Sequence, residues 1–152
     1  MATKITTQVM LERKVLEKYV AAAVKSARNN LYKTIQSYIV EYYKDYTPSA
    51  YKRTWKFLNS LIKTDVKING NEIECYVKLD EAYLDYKYPR YDSYRQAVSG
   101  KDVATWANMG LHGGYAEGDV KFWDDALAEY GLSYGFMSDL KTYLEKAGFK
   151  IL

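Results

Sequence analysis

Asp65-Val66-Lys67-Ile68-Asn69-Gly70-Asn71-Glu72-Ile73-Glu74-Cys75-Tyr76-Val77-Lys78-Leu79 is the stretch that decides the fold. Asn-Gly between two β-rich runs is a strong short-range hairpin signal, because it supplies the positive φ that tight hairpin turns require. Asp65 to Ile68 and Glu72 to Leu79 are therefore expected as paired antiparallel strands, a hairpin over 64–79. In the second strand Ile73, Cys75, Val77 and Leu79 alternate with Glu72, Glu74, Tyr76 and Lys78. That period of two predicts one buried face and one wet face. Cys75 then reads as a small buried hydrophobe rather than a reactive thiol.

Upstream, residues 8–43 read as one long helix with no Gly or Pro inside it. Val9, Leu16, Val20, Ala23, Ala27, Leu31 and Tyr38 fall on one side at helical spacing. Lys14, Lys18, Lys25 and Arg28 fall on the other and form a basic stripe. Unbroken, such a helix is about 50 Å long. That exceeds the width of a compact domain of this size, so part of it is expected to project or to pack on another chain, unless Asn29-Asn30 kinks it. Pro48 ends the segment. Thr54 to Lys63 is expected as a short second helix with Trp55, Leu58 and Ile62 on one face.

Downstream, residues 80–101 have no clean period and read as a loop with short helical turns. Asp102 to Met109 is a short helix with Asp102 as its cap, and Gly110 to Gly114 a turn. Asp119 to Tyr130 is a helix stopped by Gly131. Ser133 to Ala147 is the last helix, with Gly148 as its C′ residue. Phe149 to Leu152 alternates and is a candidate strand, 149–152, for the sheet. The expectation is a single α+β domain over 1–152: a long N-terminal helix and several short helices on a small antiparallel sheet.

Composition narrows the function. The chain has 152 residues and 48% hydrophobic content, enough for a core without disulfide or metal. One cysteine excludes an internal disulfide framework and a cysteine zinc cluster. One histidine, His112, excludes any site that needs two. No apolar run approaches a membrane span, the first seven residues lack the apolar run of a secretory signal, and no membrane partner is expected. The glycines at 110, 113, 114 and 118 match neither a dinucleotide nor a P-loop spacing. Asp124-Asp125 lies in a first helical turn, where acids favour the dipole. Glu72, Glu74 and Lys78, the one trio resembling a metal nuclease's, lie on the wet face of the hairpin. No catalytic, cofactor or metal residue is assigned, and no enzyme is expected. A net charge of +3 permits a nucleic-acid partner without demanding one. Lys14, Lys18, Lys25 and Arg28 are the candidate DNA-facing residues, although such a stripe is more often a solubilising face.

The chain carries 17 tyrosines. A core cannot easily satisfy that many hydroxyls, and tyrosine is a favoured interface residue. Protein binding is therefore the reading that composition favours. The candidate interface residues are Tyr46, Tyr51, Arg53, Tyr83, Tyr86, Tyr88, Tyr91 and Tyr94.

Residues 46–62 read Tyr-Thr-Pro-Ser-Ala-Tyr-Lys-Arg-Thr-Trp-Lys-Phe-Leu-Asn-Ser-Leu-Ile. A long N-terminal helix, then Tyr-x-Pro-x-x-Tyr-x-Arg-Thr, a Leu-x-Ser element and a hairpin resembles the neck or tail-component (head–tail joining) proteins of long-tailed bacteriophages. Leu111-His112-Gly113-Gly114, Phe122-Trp123-Asp124-Asp125 and Lys146-Ala147-Gly148-Phe149 look like variants of that family's later motifs. The resemblance spans about two-thirds of the chain and does not include 80–101. It implies a non-enzymatic virion structural protein of the head–tail neck, acting in tail completion and viral assembly. It implies a homo-oligomeric ring between the portal complex and the tail. The implied partners are portal or adaptor, tail-terminator or tail-tube proteins, with non-specific contact to the DNA that passes. The implied location is the virion, and the host cytoplasm during assembly. Pro48, Tyr51, Arg53 and Thr54 have a structural role beside this one: Pro48 breaks the helix, Tyr51 packs, and Arg53 and Thr54 tie down the next helix. The alternative function is a basic accessory protein that binds nucleic acid through the first helix.

Overall fold

A computed structural model describes residues 1–8, 12–45, 47, 55–84, 98–112, 116–132 and 134–151. The elements are β1 (Ala2–Gln8), α1 (Arg13–Val15), one π-helical turn (Leu16–Val20) and α2 (Ala21–Lys44). They continue with α3 (Lys56–Asn59), β2 (Leu61–Lys63), β3 (Lys67–Asn69), β4 (Glu72–Leu79) and α4 (Glu81–Leu84). The chain closes with α5 (Gly100–Asn108), β5 (Leu111–His112), β6 (Ala116–Glu117), α6 (Phe122–Tyr130) and α7 (Tyr134–Lys146). The protein is α+β, with one long helix and several short ones on a small antiparallel sheet.

β4 is the centre of that sheet. β1 lies along one edge of it, with Ala2 opposite Lys78 and Gln8 opposite Glu72. β2 and β3 share its other edge, with Leu61 opposite Leu79 and Lys67 opposite Glu74. The hairpin forms as its sequence requires, with Asn69 paired to Glu72, so that Gly70-Asn71 rather than Asn69-Gly70 makes the turn. Gly70 has φ +61 and Asn71 does not share the positive sign, the pattern of a type II′ turn. Burial along β4 alternates strictly, and Ile73, Cys75, Val77 and Leu79 all face the core.

α2 covers that inner face. Its buried positions Ala23, Val24, Ala27, Leu31, Ile35, Ile39 and Tyr42 recur every three or four residues. They join the β4 residues, Phe57, Leu84, Ala104, Phe122, Trp123 and Leu140 in one core cluster. Its apolar stripe lies on the core from Val20 to Tyr42.

Several local expectations are corrected. The long helix begins at Arg13, not residue 8, because residues 2–8 alternate as a β-branched strand and join the sheet. Its irregularity is the π turn at Leu16–Val20, and α2 runs unbroken through Asn29-Asn30. The helix expected over Thr54 to Lys63 is one turn long, because Leu61–Lys63 leaves it to pair with β4. α5 starts earlier than Asp102: Ser99 is the cap, accepting from the Asp102 N–H and donating to its carboxylate. Asp119 lies outside α6, whose first residue is Phe122. Leu111–His112 is a strand paired with Ala116–Glu117 rather than part of a turn. Phe149–Ile151 forms no strand: the Phe149 N–H closes α7 on the Leu144 carbonyl, and its ring lies 5.0 Å from Tyr19, edge-on. Both edges of β4 are taken instead, one by β1 and the other by β2 and β3.

Candidate functional site

The tyrosines divide into two groups. Those on the helices tie elements together through their hydroxyls. Tyr42 donates to the Leu111 carbonyl at 2.7 Å, and Tyr32 to the Leu61 carbonyl at 3.4 Å. Tyr38 donates to the Glu129 carboxylate at 2.5 Å, and Tyr130 to the Asp139 carboxylate at 2.6 Å. Burial and the Asp139 charge both raise the Tyr130 pKa, so this hydroxyl keeps its proton. A core can therefore satisfy more tyrosine hydroxyls than composition alone suggests, because each finds a carbonyl or carboxylate on a neighbouring element.

Tyr83 belongs to the other group. It lies on α4, is 47% exposed, and has the Lys56 ammonium 5.5 Å from its ring centroid. Trp55, beside Lys56, is 49% exposed and holds a left-handed backbone at φ 57, an unusual conformation for a bulky residue. Its indole meets Tyr43 edge-on at 4.8 Å. α4 packs on α5, which exposes Trp106, and Met109 is exposed just past the end of α5. Large apolar side chains thus stand in water on the adjoining elements α3, α4 and α5 and at their ends. Neither Trp55 nor Trp106 is among the residues expected at an interface; Trp55 is instead expected on a helix face. Tyr46, Tyr51, Arg53, Tyr86, Tyr88, Tyr91 and Tyr94 lie outside the described residues, as do Pro48 and Thr54.

The basic stripe is revised. Lys14, Lys18 and Lys25 are exposed, and Lys18 sits over the Tyr19 ring at 5.2 Å. Arg28 is buried at 4% exposure and belongs to the core. Its guanidinium donates to the Thr64 carbonyl at 2.5 Å and to Asn29 Oδ1 at 3.0 Å, while Nε is buried with no hydrogen-bond partner among the described residues. The reason is angular: 28 follows 24 by one helical turn, and Val24 is fully buried. Lys63 on β2 takes the place beside the stripe that Arg28 vacates. It donates to the same Asn29 oxygen at 2.9 Å and lies 4.8 Å over Tyr32.

The outer face of the sheet is polar. Lys4 bridges Glu74 at 2.8 Å and Glu72 at 3.7 Å, and the Glu74 carboxylate holds the Lys4 ammonium above its ordinary pKa. Two members of the Glu72, Glu74 and Lys78 trio are thus engaged by a lysine from the neighbouring strand. A depression of about 350 Å³ lies on this face, lined by Asp65, Lys67, Glu74, Tyr76 and Lys78 among others. Its lining carries both cations and anions, Lys67 and Lys78 with Asp65 and Glu74. Among the described residues no three His, Cys, Asp or Glu side chains converge as ligands. Cys75 is buried, and burial pushes its thiol up to about 11, so it stays protonated at neutral pH.

The described residues present exposed aromatics, exposed lysines and a charged sheet face on a small α+β frame. Residues 8–146 match the model of the YomN family, and the chain belongs to that family. The family is phage-associated, which makes this a phage-associated protein. No curated protein sequence matches the chain, and no solved structure matches it.

Proposed function

We propose that this chain is a non-enzymatic structural protein of the phage virion, placed at the head–tail connection. In this reading it forms or joins a ring between the portal complex and the tail, and helps complete the tail. Its partners are portal or adaptor, tail-terminator or tail-tube proteins, and its place is the virion neck after assembly in the host cytoplasm. The phage-associated family is the observation that carries the reading. The likeness of residues 46–62 and 111–125 to neck-protein motifs adds the location. The exposed Trp55, Tyr83, Trp106 and Met109 add a surface suited to a protein partner. Mass spectrometry of purified virions, followed by immunogold labelling, tests it directly. The expected result is label at the head–tail junction, and absence from virions refutes the proposal.

A second reading is favoured by the lysines of the first helix. Lys14, Lys18 and Lys25 are exposed and have no carboxylate partner among the described residues, as phosphate contacts require. As a basic accessory protein the chain would bind DNA with a steep salt dependence, weakened by Lys18→Glu and Lys25→Glu. DNA affinity that is indifferent to salt and to both substitutions removes this reading.

A further inference from the structure

The two edges of the sheet are built differently. On one side of β4 the chain from Leu61 to Asn69 pairs in two short pieces of three residues each. Between them Thr64 turns aside, donating its N–H to the Tyr76 carbonyl while its hydroxyl accepts the Tyr76 N–H. Short strands and a local break are ordinary ways of closing an edge to further pairing. On the other side β1 runs for seven residues in unbroken register, without proline or bulge. Its one charged residue is Lys4. Among the described residues no strand lies against its outer edge.

The hydrogen bonds fix which groups point outward. The Met1 carbonyl accepts from the Leu79 N–H, so odd-numbered residues of β1 bond to β4. The bonds between Tyr76 and Thr64 agree, since Tyr76 is opposite Lys4 and directs its own backbone away from β1. In an antiparallel ladder the alternate residues aim both backbone groups the other way. The N–H and C=O of Ala2, Lys4, Thr6 and Gln8 therefore face outward, and Ala2, Lys4 and Thr6 are exposed.

We propose that this edge pairs with the same edge of a second copy of the chain, antiparallel about a two-fold axis. The strand complements itself in one register. With Ile5 opposite Ile5, Ala2 meets Gln8 and Lys4 meets Thr6, so all four outward-facing residues enter hydrogen-bonded pairs. The two lysines are not opposed to each other, and Thr3 meets Thr7. The inner faces of the two sheets then run on continuously, Ile5 beside Ile5. An isologous contact of this kind closes at two and does not by itself build a ring. The inference stands on the edge alone and is independent of the virion reading.

Sedimentation equilibrium of the full chain and of two variants tests it. Across the axis position 6 faces the partner's Lys4. Thr6→Glu creates two attractive cross-strand pairs and Thr6→Lys two repulsive ones. Each such pair changes an equilibrium by a factor of about 1.5 to 5. The expected dimer dissociation constant falls by about 2- to 25-fold in Thr6→Glu and rises by a similar factor in Thr6→Lys. Within one copy Thr6 is opposite Glu74, so fold stability in urea moves in the reverse order, with Lys favoured over Glu. Damage to the fold therefore cannot produce the expected ranking of association. The amides of Lys4 and Thr6 are also expected to exchange more slowly as protein concentration rises. A monomer at every concentration overturns the proposal. So does an oligomer whose affinity is the same in both variants, or is ranked the other way.

Discussion

Replacing Phe122 by alanine is expected to destabilise the protein by about 4 kcal/mol. Phe122 is fully buried where three elements meet. Its ring stands edge-on to Phe57 at 4.9 Å and 84°, and 6.3 Å from Tyr42. It opens α6, while Phe57 belongs to α3 and Tyr42 to α2. Burying a phenylalanine side chain contributes about 1.5–3 kcal/mol. The close edge-on pair with Phe57 adds about 0.5–1.5 kcal/mol beyond its area. The cavity left by truncation brings such sites to about 3–5 kcal/mol in total. Over 152 residues the unfolding entropy is about 0.3 kcal/mol/K, so 4 kcal/mol lowers the melting temperature by about 12 °C. Urea unfolding followed by circular dichroism gives the free energy, and calorimetry the midpoint. Phe122→Leu keeps most of the volume and loses the ring contacts, so it is expected to cost about 1.5 kcal/mol. A Phe122→Ala loss under about 1.5 kcal/mol, or equal losses for Ala and Leu, would refute the packing argument.

Other outcomes follow from the same contacts. The Cys75 thiol is pushed up to about 11 from 9.0 chiefly by burial. Below pH 9 both folded and unfolded thiols hold their proton. Between pH 9 and 11 only the unfolded one releases it, so stability falls as pH rises through that window. Cys75→Val is expected to flatten this part of the urea-midpoint profile, and an unchanged profile counts against the burial account. Gly100 opens α5 against α4, and a Cβ there would stand 1.8 Å from the Glu81 carbonyl oxygen. Gly100→Ala is accordingly expected to cost at least about 2 kcal/mol by thermal unfolding, whereas Gly70→Ser, with open space around its Cα, meets no clash and costs only its positive φ. Arg28→Glu is expected to prevent folding because it buries an acid beside the Thr64 carbonyl, while Lys18→Glu leaves circular dichroism and the midpoint unchanged.

Period and turn chemistry made the hairpin legible. Alternation in Glu72 to Leu79 is a local property, and it placed the buried face of β4 before any contact was known. The long helix was legible for the same reason, since residues 13–44 hold no breaker and carry an apolar stripe. The candidate site was less so. Only Tyr83 of the eight expected interface residues falls within the described chain, and Trp55 is exposed on a left-handed backbone that no periodicity encodes.

Sequence by itself determined the α+β class, the hairpin, the helical stripe and the buried character of Cys75. Each of these rests on spacing within one segment, where neighbouring residues decide the outcome. Tertiary structure alone decided that Ala2–Gln8 is a strand, because its alternation becomes useful only when β4 offers an edge to pair with. It likewise decided that Leu61–Lys63 leaves a helix for the sheet, and that Arg28 is buried while its stripe-mates are not. In each case a hydrogen-bond partner far along the chain, β4 for the strands and the Thr64 carbonyl for Arg28, outweighed the local preference.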